Sequence, residues 1–318
     1  MTATLPNPIP IDAIRAARDR VRGLAIRTPM VRLHSEAPCE IYLKLECLQP
    51  IGSFKIRGAA NAMAMADPAV LARGVWTASA GTMAQGVAWC ARARGIPCTV
   101  AVPDHAPAAK TNAVERLGGR IVRLPFNEWW QILVEHGKPG FDGVFIHPVS
   151  DPHVMAGNGT AGLEIAEDLP DATAVVVPYG GGGLSCGIAS ALGATLPGVP
   201  VYASEVATAA PLQPSLAAGK PLTIEYTPSF IDGIGGRSVL AEMWPLASSL
   251  LAGSIVVEVE QVAQAVKLML ERAHVLAEGA GASSVAAART GKAGTGKVVC
   301  VVSGGNIDLA RVAAIISA

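Results

Sequence analysis

Two stretches carry residue types arranged for chemistry. The first, Val175 to Gly187, reads VVVPYGGGGLSCG: an apolar run ends at a proline, four glycines turn the chain, and Leu184 to Leu192 resumes a helical pattern of small residues. That order is a strand, a bare-backbone loop and a helix start. Glycines 180 to 183 lack a Cβ, so their N–H groups can converge while the next helix presents its positive end. A phosphate is the expected guest. A flexible connector is the competing reading, but connectors rarely join an apolar strand directly to a helix.

The second stretch is Gly52-Ser53-Phe54-Lys55. Ser53 is the expected N-cap of a helix running toward Met65, which places Lys55 in its first turn. The positive end of a helix disfavours an ammonium, and a neutral amine is a nucleophile that forms Schiff bases with aldehydes. Position alone leaves Lys55 open between that role and a solvated surface lysine.

These loops need elements to hold them. Asp12 to Arg22 reads as a surface helix closed by Gly23, and Ile41 to Leu45 as a short strand. Strands at 75–77, 98–102, 120–124 and 144–147 alternate with helices at 83–94, 107–117 and 127–136; a helix at 159–169 and strands at 175–177, 201–204 and 298–302 follow. Alternation of this kind predicts an α/β fold with open, twisted, mostly parallel sheets flanked by helices. Eight or more such units exceed one comfortable sheet, so two domains are expected. Crossings near Asp67-Pro68 and His147-Pro148 would divide the chain into a large cofactor-binding domain (1–68 and 147–318) and a small substrate-loop domain (69–146). Ligands sit beyond the carboxyl ends of such strands, so 52–55, 79–82, 180–183 and 303–306 are expected to meet. The irregular stretch from Pro211 to Gly253 is expected to line the same crevice.

Composition narrows the function. Among 318 residues, 25 Lys plus Arg balance 25 Asp plus Glu, so no surplus charge recruits nucleic acid or an anionic membrane. Six scattered cysteines without a CxxC pair suit a reducing cytoplasm, and the N-terminus shows no export signal. No run of about 18 apolar residues suggests a membrane span. Small molecules are the expected partners.

GSFKIRGA, SAGTMAQGVA, HP followed by AGNGTAGLEI, PYGGGGL and SGGN together resemble the fold-type II pyridoxal-phosphate enzymes, within them the threonine/serine dehydratases and serine racemases. The resemblance runs from Arg27 to Leu309 and implies a tryptophan-synthase-β-like fold. It also implies that Lys55 binds the aldehyde of pyridoxal 5'-phosphate, that Gly180, Gly181, Gly182 and Gly183 hold its phosphate, and that Phe54 flanks the ring. Ser303 would face the ring nitrogen, where a neutral hydroxyl favours elimination over transamination. The competing role for Ser303 is an N-cap ahead of Ile307. Ser79, Gly81 and Thr82 would receive the substrate carboxylate. A homodimer is the implied assembly.

Departures from the family matter as much. Ala80 stands where racemases have a second serine, leaving no evident second acid–base group. Thr82-Met83 replaces the usual Asn-His beside the cofactor's phenolic oxygen, and Val149 offers an apolar wall to the substrate's β-substituent. Arg237 could meet a larger or acidic side chain, or lie on the surface. Glu205 matches a metal-binding carboxylate of the racemases, but its second carboxylate is replaced by Pro211, which weakens any divalent-cation site. No C-terminal regulatory domain is expected. His147 and His153 read as packing or turn residues.

The expected activity is a pyridoxal-phosphate-dependent dehydratase (ammonia-lyase) that eliminates from L-threonine or L-serine. The alternatives are a lyase for 3-hydroxyaspartate, phenylserine or a hydroxyectoine-derived amino acid, a racemase-like activity, a silent ligand-binding relative, and a nicotinamide-dependent oxidoreductase. The last draws on Glu205 at the next strand end, but Gly181, Gly183 and Gly187 miss the G-x-G-x-x-G spacing by one residue.

Overall fold

Among the described residues, ten short strands assemble into two sheets, because buried runs such as Val175-Val176-Val177 and Val298-Val299 can only be satisfied with helices on both faces. The computed structural model describes residues 8–106 and 108–317. Pro107, the expected start of a helix, lies outside them.

The strands are β1 Met30–Leu33, β2 Glu40–Lys44, β3 Val75–Ala78, β4 Cys98–Pro103, β5 Arg120–Leu124, β6 Val144–Phe145, β7 Ala174–Pro178, β8 Val201–Val206, β9 Gly253–Val257 and β10 Lys297–Val301. A six-stranded sheet runs β1-β2-β10-β7-β8-β9 and a four-stranded sheet β5-β4-β3-β6. All pairings are parallel except β1 with β2. The expected α/β class with two mostly parallel sheets is the observed one.

Strand order explains why distant loops meet. β10 lies between β2 and β7, so the segments that leave their carboxyl ends run side by side. They are also stitched together. The Cys47 N–H donates to the Val302 carbonyl at 3.0 Å, Phe54 N–H to Ser303 at 3.1 Å, and Gly305 N–H to Gly52 at 2.9 Å.

The helix Lys55–Met65 joins the two sheets' territories. Ile56, Ala59, Ala60 and Met63 enter the apolar cluster that contains Val75, Val87 and Val100 of the four-stranded sheet's layer. From the same helix, Arg57 reaches Thr160 and Glu164 on the helix Pro152–Asp168.

Several boundaries differ from the sequence reading for identifiable reasons. The helix read at 159–169 starts at Pro152, because Asp151 caps it through the N–H groups of His153 and Val154 and a proline suits the first helical turn. Ser53 is not the N-cap of the lysine helix; Phe54 holds that position, and the Ser53 hydroxyl faces the Lys55 N–H at 3.4 Å. Nor is Ser303 a cap, since the closing helix begins only at Leu309. β1, β9 and the helices Val259–Ala273 and Gly279–Arg289 were not anticipated.

Candidate active site

One cavity of about 670 Å³ opens where the strand ends of the two sheets converge. It gathers Phe54, Lys55, Ser79, Gly81, Thr82, Met83, Val149, glycines 180 to 183 and Ser303. Four loops far apart in the sequence, from Phe54 to Ser303, therefore line one cavity. Two residues from the sequence reading are not on it. Ala80 is half-buried and packs against the apolar cluster of the smaller sheet, and Arg237 is exposed, its carbonyl taking the Ile224 N–H at 2.8 Å. The guanidinium of Arg237 is therefore not placed to meet a substrate in this cavity.

Lys55 is the first residue of its helix, and its Nζ donates to the Pro148 carbonyl at 2.9 Å and lies 5.2 Å from the Phe54 ring centroid. Burial in the cavity wall pushes the amine down to about 8. Desolvation, rather than the helix dipole invoked from the sequence, is the cause.

The turn that carries this carbonyl is itself held. His147 Nδ1 accepts from the Ser150 N–H at 2.8 Å and the Val149 N–H at 3.2 Å, while Nε2 donates to the Leu133 carbonyl at 3.2 Å. Burial, the neighbouring His136 and Lys55 push this imidazole down to about 3, against the pull of the Leu133 carbonyl, so it stays neutral. The expected turn role fits these bonds. His136, His147 and Glu242 come close enough to suggest a metal. Yet both His147 nitrogens are engaged and its ring stacks on His136 at 4.3 Å and 11°, which aims the two lone-pair planes past each other.

The glycine run fits a phosphate on structural grounds. A Cβ on residue 181 would sit 2.5 Å from Val149 Cγ1, and one on residue 183 would sit 2.8 Å from the Val149 carbonyl oxygen, so only bare backbone passes here. Helix Gly183–Thr195 starts at the loop, and its first-turn N–H groups lack carbonyls one turn earlier. At the other end, Ser303 is 3% exposed, and its hydroxyl has no hydrogen-bond partner among the described residues. An amine, an anion cradle and an unpartnered hydroxyl on one wall match the aldehyde, phosphate and ring nitrogen of pyridoxal 5'-phosphate.

Glu205 has a different job from the one suggested by the sequence. Its carboxylate accepts from Leu212 N–H at 2.8 Å, Gln213 N–H at 2.9 Å and the Ser254 hydroxyl at 2.6 Å. Both oxygens are taken. Burial raises its pKa against these three bonds, which is costly for an ion and unhelpful for a metal or a ribose hydroxyl.

The cavity also holds groups that the sequence did not reveal. Glu278, Asp232, Lys110, Phe230 and Gln85 all line it. The irregular Pro211–Gly253 stretch does contribute, through Ser229 to Ile234. Glu278 had a faint signal, an acid directly before the small-residue run Gly279 to Ser284, but that pattern reads first as a helix cap.

Residues 21–304 match the family described as pyridoxal-phosphate dependent enzyme. An L-threonine ammonia-lyase of Geobacter sulfurreducens is 39% identical over 315 residues, covering 97% of this chain and 78% of that one. A serine racemase of Oryza sativa subsp. indica is 33% identical, covering 94% of this chain and 91% of its own. The structure of maize serine racemase superposes with a TM-score of 0.87 at 32% identity, covering 96% of each chain.

Proposed function

The chain belongs to the pyridoxal-phosphate-dependent enzymes, with threonine dehydratase and serine racemase relatives over nearly its full length; on that premise we propose that it is an ammonia-lyase. It would dehydrate and deaminate a β-hydroxy amino acid, L-threonine or L-serine first, to a 2-oxo acid and ammonia. The observation that carries this reading is the shared wall of Lys55, the tetraglycine helix start and Ser303.

Pyridoxal phosphate, when bound, supplies an electron sink conjugated to the substrate's α-carbon. Lys55 would hold the cofactor through Nζ, and the same amine, when free, would serve as the base for the substrate's α-proton. Its pKa of about 8 keeps a useful neutral fraction near neutral pH. Glycines 180 to 183 would hold the phosphate, and Phe54 would flank the ring. Ser79, Gly81 and Thr82 receive the substrate carboxylate at the start of the helix Thr82–Arg94, where free N–H groups favour an anion. Val149, Phe230 and Ile234 give the β-carbon apolar surroundings that accept the methyl of threonine.

Lyase is favoured over racemase because Ala80 offers no hydroxyl and packs against the apolar cluster. The oxidoreductase alternative loses its ribose ligand, since Glu205 is occupied by two amides and Ser254. A homodimer in a reducing cytoplasm completes the proposal; the six cysteines are unpaired and buried, and no described helix is long and apolar enough to cross a membrane.

The test is a spectrum followed by a substrate panel. Purified protein should show a visible absorption band that Lys55→Ala lacks, and should release 2-oxo acid and ammonia from L-threonine or L-serine. A band without 2-oxo acid from either would sink the substrate assignment.

A further inference from the structure

Glu278 stands at the N-cap position of helix Gly279–Arg289, yet its side chain makes no capping bond. Its N–H donates to the Gly304 carbonyl at 3.0 Å, which ties it to the loop opened by Ser303, and its carboxyl turns into the cavity wall. Two loops leave space for it. A Cβ on residue 304 would lie 2.3 Å from Glu278 Oε1, and one on residue 233 would lie 3.4 Å away.

The carboxyl receives a hydrogen bond from the Asn306 N–H, and among the described residues no Lys or Arg forms an ion pair with it. Lys110 is within electrostatic reach, but its ammonium sits 2.6 Å from Asp232. Burial first, then the negative charge of Asp232, push Glu278 up to about 7, against weaker pulls from Lys110 and the Asn306 N–H. Cys47, packed behind Gly305, faces it from the strand β2 side, and Asp308 and Arg311 share the cavity wall. A buried, cavity-facing carboxyl with no cap to make and no cation to pair is without a structural purpose.

We propose that Glu278 is a second titrating group of this site, whose charge sets the electrostatic environment at the Ser303 end of the cavity. The inference rests on the reading above, which places the cofactor's ring nitrogen at Ser303. Neutral Glu278 withholds its own negative charge from that end, the condition that Ser303 suits. Ionised Glu278 draws a proton toward the ring nitrogen, as a carboxylate partner would. Glu278 acts here as a positioning charge beside Ser303, in the neutral form at the acidic side of its transition and the ionised form beyond it.

The experiment titrates the visible band of the substrate-free holoenzyme from about pH 5.5 to about pH 9, a range that spans a perturbed carboxyl. Wild type should show a change in band position or intensity with a midpoint near 7. Glu278→Gln should hold its band constant through that midpoint while still unfolding cooperatively, and Glu278→Asp should keep the transition at a displaced pH. Asp232→Asn removes the charge that raises Glu278 and should move the wild-type midpoint downward, which decides the matter if Glu278→Gln fails to fold. An unchanged transition in Glu278→Gln, an unmoved midpoint in Asp232→Asn, or a flat wild-type titration overturns the proposal while the cofactor reading survives. A wild-type protein that takes up no cofactor and shows no band overturns both.

Discussion

The helix Lys55–Met65 carries buried charge into two very different settings. Two residues into it, Arg57 is 1% exposed and fully matched: its guanidinium meets Glu46 at 2.8 Å and Glu164 at 2.6 Å. Lys44 completes the cluster at 2.6 Å from Glu164 and donates to the Thr28 carbonyl at 2.7 Å, while the Thr28 hydroxyl reaches Glu46 at 2.6 Å. Burial pushes Glu46 up and Arg57 down, but mutual attraction overcomes both, leaving Glu46 below the usual carboxylate range and Arg57 firmly charged. In the cavity, Lys55 has a carbonyl and Glu278 an N–H, with no counter-ion for either, and both are pushed toward their neutral forms. Buried charge that is paired fixes how helices meet; buried charge left unpaired is available to a ligand.

Breaking the paired cluster should have the largest effect on stability. Arg57→Met leaves Glu46 without an ion-pair partner and Glu164 with Lys44 alone, and a loss of about 3–5 kcal/mol is expected from urea unfolding of the purified protein. A loss under about 1 kcal/mol would show that the cluster does not carry the helix packing.

An intermediate effect is expected where bare backbone passes Val149. Gly181→Ala puts a Cβ 2.5 Å from Val149 Cγ1; overpacking of about 1–3 kcal/mol should weaken cofactor binding roughly ten- to hundredfold in equilibrium dialysis. Val149→Ala in the same chain should restore much of it. Additive losses in that cycle would place the clash elsewhere.

The smallest effect sharpens the comparison through pH. Lys55 titrates at about 8 when folded against an ordinary 10.5, so the unfolded chain binds more protons between those values. Stability of the cofactor-free protein should therefore rise with pH across that window. Glu278 has the opposite sign: about 7 when folded against 4.5, so its contribution is complete below 4.5 and is lost as pH climbs through 7. Lys55→Met should flatten the first slope and Glu278→Gln the second, as read from urea midpoints. Arg57, firmly charged, should contribute no slope in either window.

How much of this was legible in the chain follows the same division. The four loops could be found because bare glycines, a lysine at a helix start and residues following strands mark backbone conformation locally. Strand order then brought them together, as expected of parallel sheets. Glu278 was hidden because an acid before a helix looks like a cap, and only the folded chain reveals that it makes no capping bond. Glu205 is the converse case: its partners are the backbone N–H groups of Leu212 and Gln213, which no residue type announces. β1, four residues with only Leu33 fully buried, carries too weak an alternation to stand out, and it exists because β2 offers it an edge.

The central claim is covalent and can be tested at one atom. Borohydride reduction of the yellow holoenzyme, followed by proteolysis and mass mapping, should place the phosphopyridoxyl group on the peptide containing Lys55 and bleach the visible band. A label on any other lysine, or full loading that persists in Lys55→Ala, would contradict the account.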